Sequence, residues 1–524
     1  MKNKRLLPLF LSPLCLLAIT GCGPTKSTTS STSGSSTDEQ QTESDPENPM
    51  IIGDEPVLAS SEEYEEFWNS NSNLSINITM SQQAADFINN YQSWHDDSTY
   101  FDYYVPCTFT LVMNEKTYEF EEAGIRQKGN MSRRQMLVNN NLSLDSLVHY
   151  KISFKETFDG EEYTTISQLQ PFAKTWEDSA ERKARKNRTL FDMEKIDIKW
   201  NRNDDETKSK QSFALKVFRN NGVLAGRDTL AKTTLGISGK DPITTTYEIF
   251  ECIDSVFIKR HFDTARADGD LYKCTYTNRG PANFLGDIEI GDEIGVEDNT
   301  TNFHPCYDLK TNKKKNTTHT NFYNFVSVVN NNSLSAAEWK TQIEQKMDVT
   351  SFIKYESIAF LLGNFDDMRN NANNYYMYFT SGENPIAYVI PYDFDRCLGA
   401  GCEGRKDFMT DFSAESTKMQ CSGDWQTINL YWRMVCASSD SYSGHANIQR
   451  VEEYRTIYQK NIEDLLNNGV ISTKAFNDYV NSFVSEYKGN PNGAGENNIS
   501  FSNYLSKKIS KIKQNNSSYD IKVS

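Results

Sequence analysis

Histidine is scarce in this sequence, with six residues in a chain of 524. The six are scattered, and no pair stands at the spacing of metal ligands that share one element. Because zinc sites are built largely from histidine and cysteine side chains at such spacings, we do not expect a zinc centre. The histidines are His95, His149, His261, His304, His319 and His445.

Basic residues are also in deficit, because 55 lysines and arginines stand against 71 aspartates and glutamates. The net charge of −16 argues against nucleic acid as a partner, since binding to a phosphate backbone needs a positively charged surface. The length of the chain is ample for a large core and for two to four domains.

The N-terminus lacks an apolar run long enough to span a membrane. Residues 6–19 are largely apolar and follow the basic residues Lys2, Lys4 and Arg5. A short apolar run behind basic residues is typical of a secretory signal peptide. The run leads into Ile-Thr-Gly-Cys, which resembles a bacterial lipobox. We therefore expect residues 1–21 to be a lipoprotein signal peptide and Cys22 to carry a lipid anchor.

Residues 22–50 are mostly polar and rich in serine and threonine. Such a composition buries too little apolar surface to offset the cost of ordering a backbone, so it predicts a flexible tether. An anchor and a tether would hold residues 51–524 at the cell membrane, on its extracytoplasmic face.

Eight cysteines follow Cys22, and the even number, in the oxidising compartment that the expected anchor implies, predicts disulfides. Buried free thiols are the main alternative, and a reactive thiol is a further one. The pairing cannot be deduced from the sequence, although Cys397 and Cys402 are close enough to form a pair, and so are Cys421 and Cys436. The residues are Cys107, Cys252, Cys274, Cys306, Cys397, Cys402, Cys421 and Cys436.

Strand patterns dominate the first half of the chain and helix patterns the second. "LSINITM" and "CTFTLVMN" alternate as strands do, and a turn at Asn114 and Glu115 follows. An amphipathic helix ends at Gly222, and several helices with three-to-four-residue apolar spacing follow residue 349. The sequence predicts an α+β fold, with a sheet-rich lobe over about 51–255 and a helical lobe over about 256–524.

Acids and amides are concentrated in two stretches of the second half. Asp366 and Asp367 follow an apolar helix and precede an asparagine-rich loop, and Asp393 and Asp395 end a strand two positions apart. One interpretation is a polar turn, since these residues tolerate turn geometry. The other is a site for a divalent metal and phosphate, in the layout of a protein-kinase catalytic loop and metal-binding aspartate.

Seven stretches, in order along the chain, resemble motifs of the CotH-type spore coat kinase family. Proteins of that family have a much-modified protein-kinase-like fold and phosphorylate proteins with ATP and a divalent metal. The resemblance spans roughly residue 51 to the C-terminus. The stretches are "GIRQKGNMSR" (124–133), "YKISF" (150–154), "MEKIDIKWNRNDDETKSKQSFALKVFRNNGV" (193–223), "YEIFECIDSVFIKRHF" (247–262), "GDLYK" (269–273), "GNFDDMRNNANNYYMY" (363–378) and "IPYDFDR" (390–396).

The resemblance implies roles for residues of the two acidic stretches. Asp366 matches the catalytic aspartate that orients or deprotonates the acceptor hydroxyl. Asn371 or Asn374 matches the loop asparagine that supports a metal. Asp393 matches the aspartate that binds Mg²⁺ or Mn²⁺, with Asp395 as an alternative or second ligand.

The resemblance also implies a nucleotide site in the first half. Lys151 is the candidate for the lysine that contacts the ATP phosphates. The alternative interpretation is a strand lysine exposed to solvent. The backbone amides of Gly129, Asn130 and Ser132 are candidates for a phosphate-covering nest. Glu251 falls where the two lobes join, a natural place for contacts with adenine.

Two departures from the family pattern bear on activity. Val148 and His149 stand where many relatives have a lysine pair, and Gln211 stands where an acid would pair with the phosphate lysine. The leading hypothesis is a membrane-anchored kinase that acts on a protein at the cell surface or in the envelope. The alternative is a catalytically silent relative that binds a surface protein or a polysaccharide.

The anchor makes the first testable prediction. Cys22→Ala should move the protein from the membrane pellet to the soluble fraction, because the thiol at the lipobox position would be lost. Fractionation of cells followed by immunoblotting measures this. Retention of the variant in the pellet, with its signal peptide still removed, would contradict the lipoprotein interpretation.

Overall fold

A computed structural model describes most of the chain after the tether. The described residues are 50–90, 102–129, 132–285, 287–298, 301, 303–400, 429–436, 447–515 and 517–523, and they belong to a unit that spans Asp45–Ser524. The predictions for the signal peptide, for Cys22 and for residues 22–49 lie outside this part, as does Asn130.

Seven strands close into a barrel in the order β1-β2-β3-β6-β7-β9-β8. Neighbouring strands are antiparallel except β8 and β1, which close the barrel as a parallel pair. The strands of the described residues are β1 (Leu74–Met80), β2 (Val105–Met113), β3 (Lys116–Gln127), β4 (Leu137–Val138), β5 (Asn141–Leu142), β6 (Tyr150–Ser153), β7 (Lys195–Lys199), β8 (Asp228–Ile237), β9 (Ile243–Glu251), β10 (Asp270–Cys274), β11 (Ile294–Gly295), β12 (Tyr307–Leu309), β13 (Tyr375–Phe379) and β14 (Ala387–Pro391).

Alternation of apolar and polar residues explains the first barrel strands. In β1 the side chains of Leu74, Ile76 and Ile78 are fully buried in the barrel interior, whereas the residues between them are partly or fully exposed. The turn between β2 and β3 places Asn114 and Glu115 at φ values of 46° and 71°. Two successive positive φ values suit a tight hairpin, so the predicted turn is confirmed.

A second sheet of five strands, in the order β11-β12-β10-β13-β14, lies in the later half of the chain. Helices pack around it. The helices are α1 (Glu62–Trp68), α2 (Gln82–Asn90), α3 (Glu162–Thr165), α4 (Ser179–Lys186), α5 (Lys210–Asn220), α6 (Ser255–His261), α7 (Thr320–Val329), α8 (Ala336–Ile343), α9 (Val349–Leu362), α10 (Met368–Asn371), α11 (Asn429–Met434), α12 (Glu452–Asn467), α13 (Thr473–Ser482) and α14 (Phe501–Asn515), with 3₁₀ turns at Leu144–Ser146 and Gln170–Phe172.

The α+β class is confirmed, but the division into a sheet half and a helical half is too simple. The predicted sheet is a closed barrel, and the later half contains the five-stranded sheet besides its helices. The sequence pattern missed β10, β11 and β12, of which β11 has only two residues and β12 three. Among the described residues, no helix has both the length and the apolar character to cross a membrane.

Helix α5 lies between the barrel and the helices of the later half. The Phe213 ring contacts Phe476 of α13 and Phe501 of α14, and Phe218 stacks on Tyr355 of α9. The predicted helix is confirmed, but nine of its residues are buried, including the polar Lys210 and Gln211, so both its apolar and its polar side are packed against other elements. Gly222, at φ 75°, follows its last turn as predicted.

The described cysteines are free thiols, so the predicted disulfides are wrong for these six residues. Cys107, Cys252, Cys274, Cys306, Cys397 and Cys436 are all buried and unbridged. Burial raises the pKa of the Cys252 thiol to about 12 and that of the Cys306 thiol to about 11. Such thiols remain protonated at neutral pH and therefore react slowly. Cys402 and Cys421 lie outside the described residues.

A labelling experiment tests this description. In the folded protein the six described cysteines should stay unlabelled by a thiol probe, with or without reductant, and should label after denaturation alone. Peptide mapping by mass spectrometry assigns each site. Labelling of these six that requires both denaturation and reductant would restore the disulfide interpretation.

Candidate active site

A cleft of about 260 Å³ opens where the barrel meets the second sheet. The barrel contributes Lys128 after β3, Lys151 on β6 and Lys199 at the end of β7, and the second sheet contributes Tyr376 and Tyr392. Among the described residues, nine cationic side chains line the cleft against six carboxylates, in a chain whose net charge is −16. The cations are Arg126, Lys128, Arg133, Lys151, Lys199, Arg202, Lys273, Lys310 and Arg396. This local reversal of charge favours an anionic ligand.

Asp366 is held in the cleft by a group of asparagines. Helix α9 ends at Gly363, whose φ of 62° turns the chain sharply toward the cleft. The Asp366 carboxylate then accepts hydrogen bonds from the side-chain amides of Asn371 at 2.5 Å, Asn373 at 3.0 Å and Asn374 at 3.2 Å. Three donors fix the orientation of this carboxylate, as a group that positions a hydroxyl requires.

Asp367, the next residue, has a structural role. It caps α10 by accepting a hydrogen bond from the backbone amide of Asn370 at 2.9 Å. Its side chain is fully buried, and burial raises its pKa to about 7. The two neighbouring aspartates are thereby separated in function, since only Asp366 lines the cleft.

Asp393 and Asp395 meet the same lysine. The Lys199 ammonium forms an ion pair with Asp393 and lies 3.7 Å from Asp395. Burial alone would raise the pKa of Asp393, but the ammonium groups of Lys199 and Lys128 outweigh it and hold that pKa well below its usual value. The expectation that both acids end a strand is wrong, because β14 ends at Pro391 and Asp393 follows it with a φ of 56°.

Lys199 also contacts helix α5. Its ammonium donates a hydrogen bond to the Gln211 side-chain oxygen at 3.0 Å. The sequence analysis had assigned the phosphate lysine to Lys151, with Gln211 as its partner on the helix. The structure corrects this pairing, because the lysine that faces Gln211 is Lys199. In β7 the polar residues Lys195, Asp197 and Lys199 alternate with two isoleucines, which is typical of a strand with one solvent-exposed face, so the sequence held no signal that Lys199 is buried.

Lys151 belongs to a separate buried ion-pair group. Lys128 lies 2.6 Å and Lys151 3.1 Å from the two oxygens of Asp197, which is 1% exposed. Lys128 also donates to the Tyr392 hydroxyl at 2.8 Å. Burial would raise the pKa of Asp197, but Lys128 and Lys151 lower it well below its usual value. Both lysines line the cleft, so neither is the solvated strand lysine of the alternative interpretation.

The predicted phosphate nest is described only at its two ends. Gly129 has a φ of 87°, and a Cβ there would come within 2.1 Å of the Ser132 hydroxyl oxygen, so only glycine fits. The Ser132 hydroxyl donates to the Lys128 carbonyl at 3.1 Å. Gly129 and Ser132 both line the cleft, and Asn130 lies outside the described residues.

Glu251 does not line this cleft. Its carboxylate accepts hydrogen bonds from the Tyr64 hydroxyl at 2.7 Å and from the Arg227 backbone amide at 3.1 Å. It borders a smaller cavity, lined partly by Leu215, Phe250 and Ile253, that shares Lys128, Lys199, Tyr392 and Asp393 with the main cleft. The two cavities therefore adjoin, and the smaller one is the more apolar.

The donor atoms in the cleft suit a metal ion that is shared with phosphate. Among the described residues, no cluster of three or more histidine, cysteine, aspartate or glutamate side chains could hold an ion alone. Mg²⁺ is commonly held by one or two carboxylates together with substrate phosphates, and Asp393 and Asp395 supply that number. Asn374 lines the cleft, and its amide nitrogen donates to Asp366, so its oxygen is the atom for a ligand.

Asn371, the other asparagine candidate, lies behind Asp366 and does not line the cleft. Its amide nitrogen is used by Asp366, and its side-chain oxygen is buried without a protein hydrogen-bond partner. The geometry therefore favours Asn374 over Asn371 as a metal ligand, and it makes Asn371 a support for Asp366.

Comparison with known proteins decides the family. A family model described as CotH kinase protein matches residues 158–515, about two thirds of the chain. The chain belongs to the CotH kinase protein family. The matched span of this family member includes Lys199, Gln211, Asp366 and Asp393, whereas Gly129 and Lys151 precede it.

One curated relative is the inner spore coat protein H of Bacillus subtilis (strain 168). It is 22% identical to this CotH family member over 204 residues, which are 38% of this chain and 49% of the relative. The chain thus spans about half the length of that relative. This similarity supports membership of the family.

The buried group around Asp197 makes a prediction about stability. Asp197→Asn should lower the free energy of unfolding by about 3 kcal/mol, because it leaves two lysines without a buried counter-charge. The folded-state pKa of Asp197 is depressed, so its contribution is complete above the unfolded pKa of about 3.9 and is lost as the pH falls below it.

Chemical denaturation from pH 7 to pH 3 measures both effects. The difference between wild type and Asp197→Asn should shrink below about pH 4. Asp145→Asn, at an exposed position, is the matched control and should change little. A pH-independent difference would show that the loss comes from packing and not from charge.

Proposed function

We propose that this protein is a membrane-anchored, extracytoplasmic kinase that transfers the γ-phosphoryl group of ATP to a protein at the cell surface or in the envelope. The observation that carries the proposal is the meeting of Asp366, Asp393 and Asp395 in one cation-rich cleft. Phosphoryl transfer needs metal-binding carboxylates, cations for the phosphates and a group that orients the acceptor. Membership of the CotH kinase family supports the same chemistry.

The architecture supports a kinase-like division of labour. The barrel and α5 supply Lys128, Lys151, Lys199 and Gln211, which are the groups suited to nucleotide phosphates. The second sheet and α9 supply Asp366 and Asp393, which are suited to metal binding and to the acceptor. Glu251, Leu215 and Ile253 line the smaller apolar cavity beside the cleft and are the candidates for contacts with the adenine ring.

Seven polar side chains of the cleft have a part in the proposed reaction. A bound Mg²⁺ or Mn²⁺ ion would neutralise phosphate charge, with Asp393, Asp395 and the Asn374 oxygen as its protein ligands. Lys128, Lys151 and Lys199 would bind the phosphate oxygens. Asp366, oriented by its asparagines, would accept the proton of the acceptor hydroxyl.

The proposed location rests on the N-terminal sequence and on the relative. The basic and apolar residues before Cys22 support export and lipid attachment. The relative is named an inner spore coat protein, and that name supports a location outside the cytoplasm.

One observation favours the catalytically silent alternative. Gln211 is neutral, and Lys199 is paired with Asp393, the proposed metal ligand. In standard kinases a glutamate on the helix holds the lysine in place. If wild-type protein binds Mg²⁺-ATP but transfers no phosphate, the silent alternative is supported, and Gln211→Glu is the first substitution that should restore transfer.

Two substitutions separate the roles of the two acids. Asp393→Ala should abolish the rise in melting temperature that ATP with Mg²⁺ produces, because metal binding is lost. Asp366→Ala should keep that rise but lower phosphate transfer by roughly 10²–10⁴-fold, because it acts on the acceptor. Thermal unfolding and transfer of radiolabel to a generic basic protein measure the two effects.

Asp145→Asn again serves as the exposed control and should behave as wild type. A purely structural role for the two acids makes a different prediction. Mg²⁺-ATP would then not stabilise even the wild type, and Asp366→Ala would melt at lower temperature without nucleotide, as Asp393→Ala does in either case because it removes the partner of Lys199.

A further inference from the structure

Glu248 is the direct cross-strand neighbour of Lys199. Strands β7 and β9 are antiparallel, and their register pairs Lys199 with Glu248. Side chains at such paired positions point to the same face of the sheet, with Cβ atoms about 5 Å apart. Both residues also line one small cavity together with Gln211. Glu248 is therefore within reach of the Lys199 ammonium.

In the structure, however, Lys199 does not bond to Glu248. Its ammonium contacts Asp393 across the cleft and donates to Gln211. The Oε1 atom of Glu248 is buried and has no hydrogen-bond partner among the residues that the structure describes. Burial raises the pKa of Glu248 well above its usual value, and the charge of Lys199 opposes this rise. A buried acid beside a buried lysine is thus left unused.

We propose that Lys199 exchanges carboxylate partners, pairing with Asp393 when the cleft is empty and with Glu248 when a divalent cation engages Asp393. Glu248 then takes the place of the helix glutamate that Gln211 does not supply. Glu248 is a positioning residue in this scheme, since it acts on the phosphates through Lys199. The inference rests on the proposed function, because that function is what brings a cation to Asp393.

The electrostatics of the lysine favour such an exchange. The Lys199 side chain is 7% exposed, so an ammonium without a counter-charge would be costly there. A cation bound to Asp393 would repel the ammonium and use the carboxylate oxygens that now hold it. Gln211 offers only a neutral acceptor.

The other nearby carboxylates are less suited to receive Lys199. Asp395 lies 3.7 Å from the ammonium, but it is beside Asp393 and would feel the same cation. Glu251 is held by Tyr64 and by the Arg227 backbone amide. Glu248 alone among these three combines the cross-strand position with an oxygen free of protein hydrogen bonds.

A double-mutant cycle on the full chain tests the exchange without nucleotide. Asp393→Asn removes the present counter-charge of Lys199, and the Lys199 ammonium should then form an ion pair with Glu248. Glu248→Gln should then lower the melting temperature more in the Asp393→Asn background than in the wild type, by about 1–2 °C extra. In the wild type the same substitution removes an unused buried acid, so the melting temperature should stay the same or rise.

Two controls isolate the pair. Glu119→Gln, an exposed glutamate on another barrel strand, should have the same effect in both backgrounds. When Lys199 is replaced by Met, the change in melting temperature caused by Glu248→Gln should be the same with and without Asp393→Asn. An equal effect of Glu248→Gln with and without Asp393 would overturn the exchange and would indicate that Asp395 receives the lysine.

The cycle separates this inference from the proposed function. The melting temperatures report on Lys199 and Glu248 alone, whereas stabilisation of the wild type by Mg²⁺-ATP reports on the kinase site. If the effects of Glu248→Gln and Asp393→Asn are coupled and Mg²⁺-ATP does not stabilise the wild type, the proposed function fails and the exchange of partners is upheld. If the wild type responds to Mg²⁺-ATP and the cycle is additive, the exchange fails.

Discussion

The ion pair between Lys199 and Asp393 joins the barrel to the second sheet at the centre of the cleft. Lys199 ends a barrel strand, and Asp393 follows the last strand of the second sheet. Because both groups are removed from bulk water, each depends on the other for its charge. Helix α5 supplies Gln211 as a partner of this lysine, and the segment after β14 supplies Asp393 and Asp395.

Lys128 and Lys151 also need a counter-charge away from bulk water, and Asp197 supplies it. The two groups place three ammonium ions along one side of the cleft, and Asp366 with its asparagines faces it from the helical side. A surplus of buried cations needs carboxylates nearby that neutralise part of the positive charge. Asp197 neutralises part of the charge of Lys128 and Lys151, and Asp393 neutralises that of Lys199.

The sequence predicted the parts of the fold that depend on local pattern. Alternation identified β1 and β2, and the asparagine-rich loop pointed to Asp366. Closure of the barrel by the parallel pair β1 and β8 could not be predicted, because alternation says which face is buried but not which strands pair. The left-handed backbone conformation of Asp393 could not be predicted either, since it depends on the turn in which Asp393 lies and on its ion pair with Lys199.

The partners of buried lysines were the least predictable feature of the site. Lys199 was missed because a single lysine in a strand pattern has no meaning until its neighbours on α5 and β9 are known. The expectation of disulfides was wrong for the six described cysteines, because compartment and parity say nothing about whether two thiols come close.

The central claim is that this cleft binds a nucleotide through a metal ion. Calorimetric titration of the purified wild-type protein with ATP, with and without Mg²⁺ or Mn²⁺, tests it most directly. We predict saturable binding of one ATP per chain that requires the metal. No binding in the presence of either metal would contradict the account.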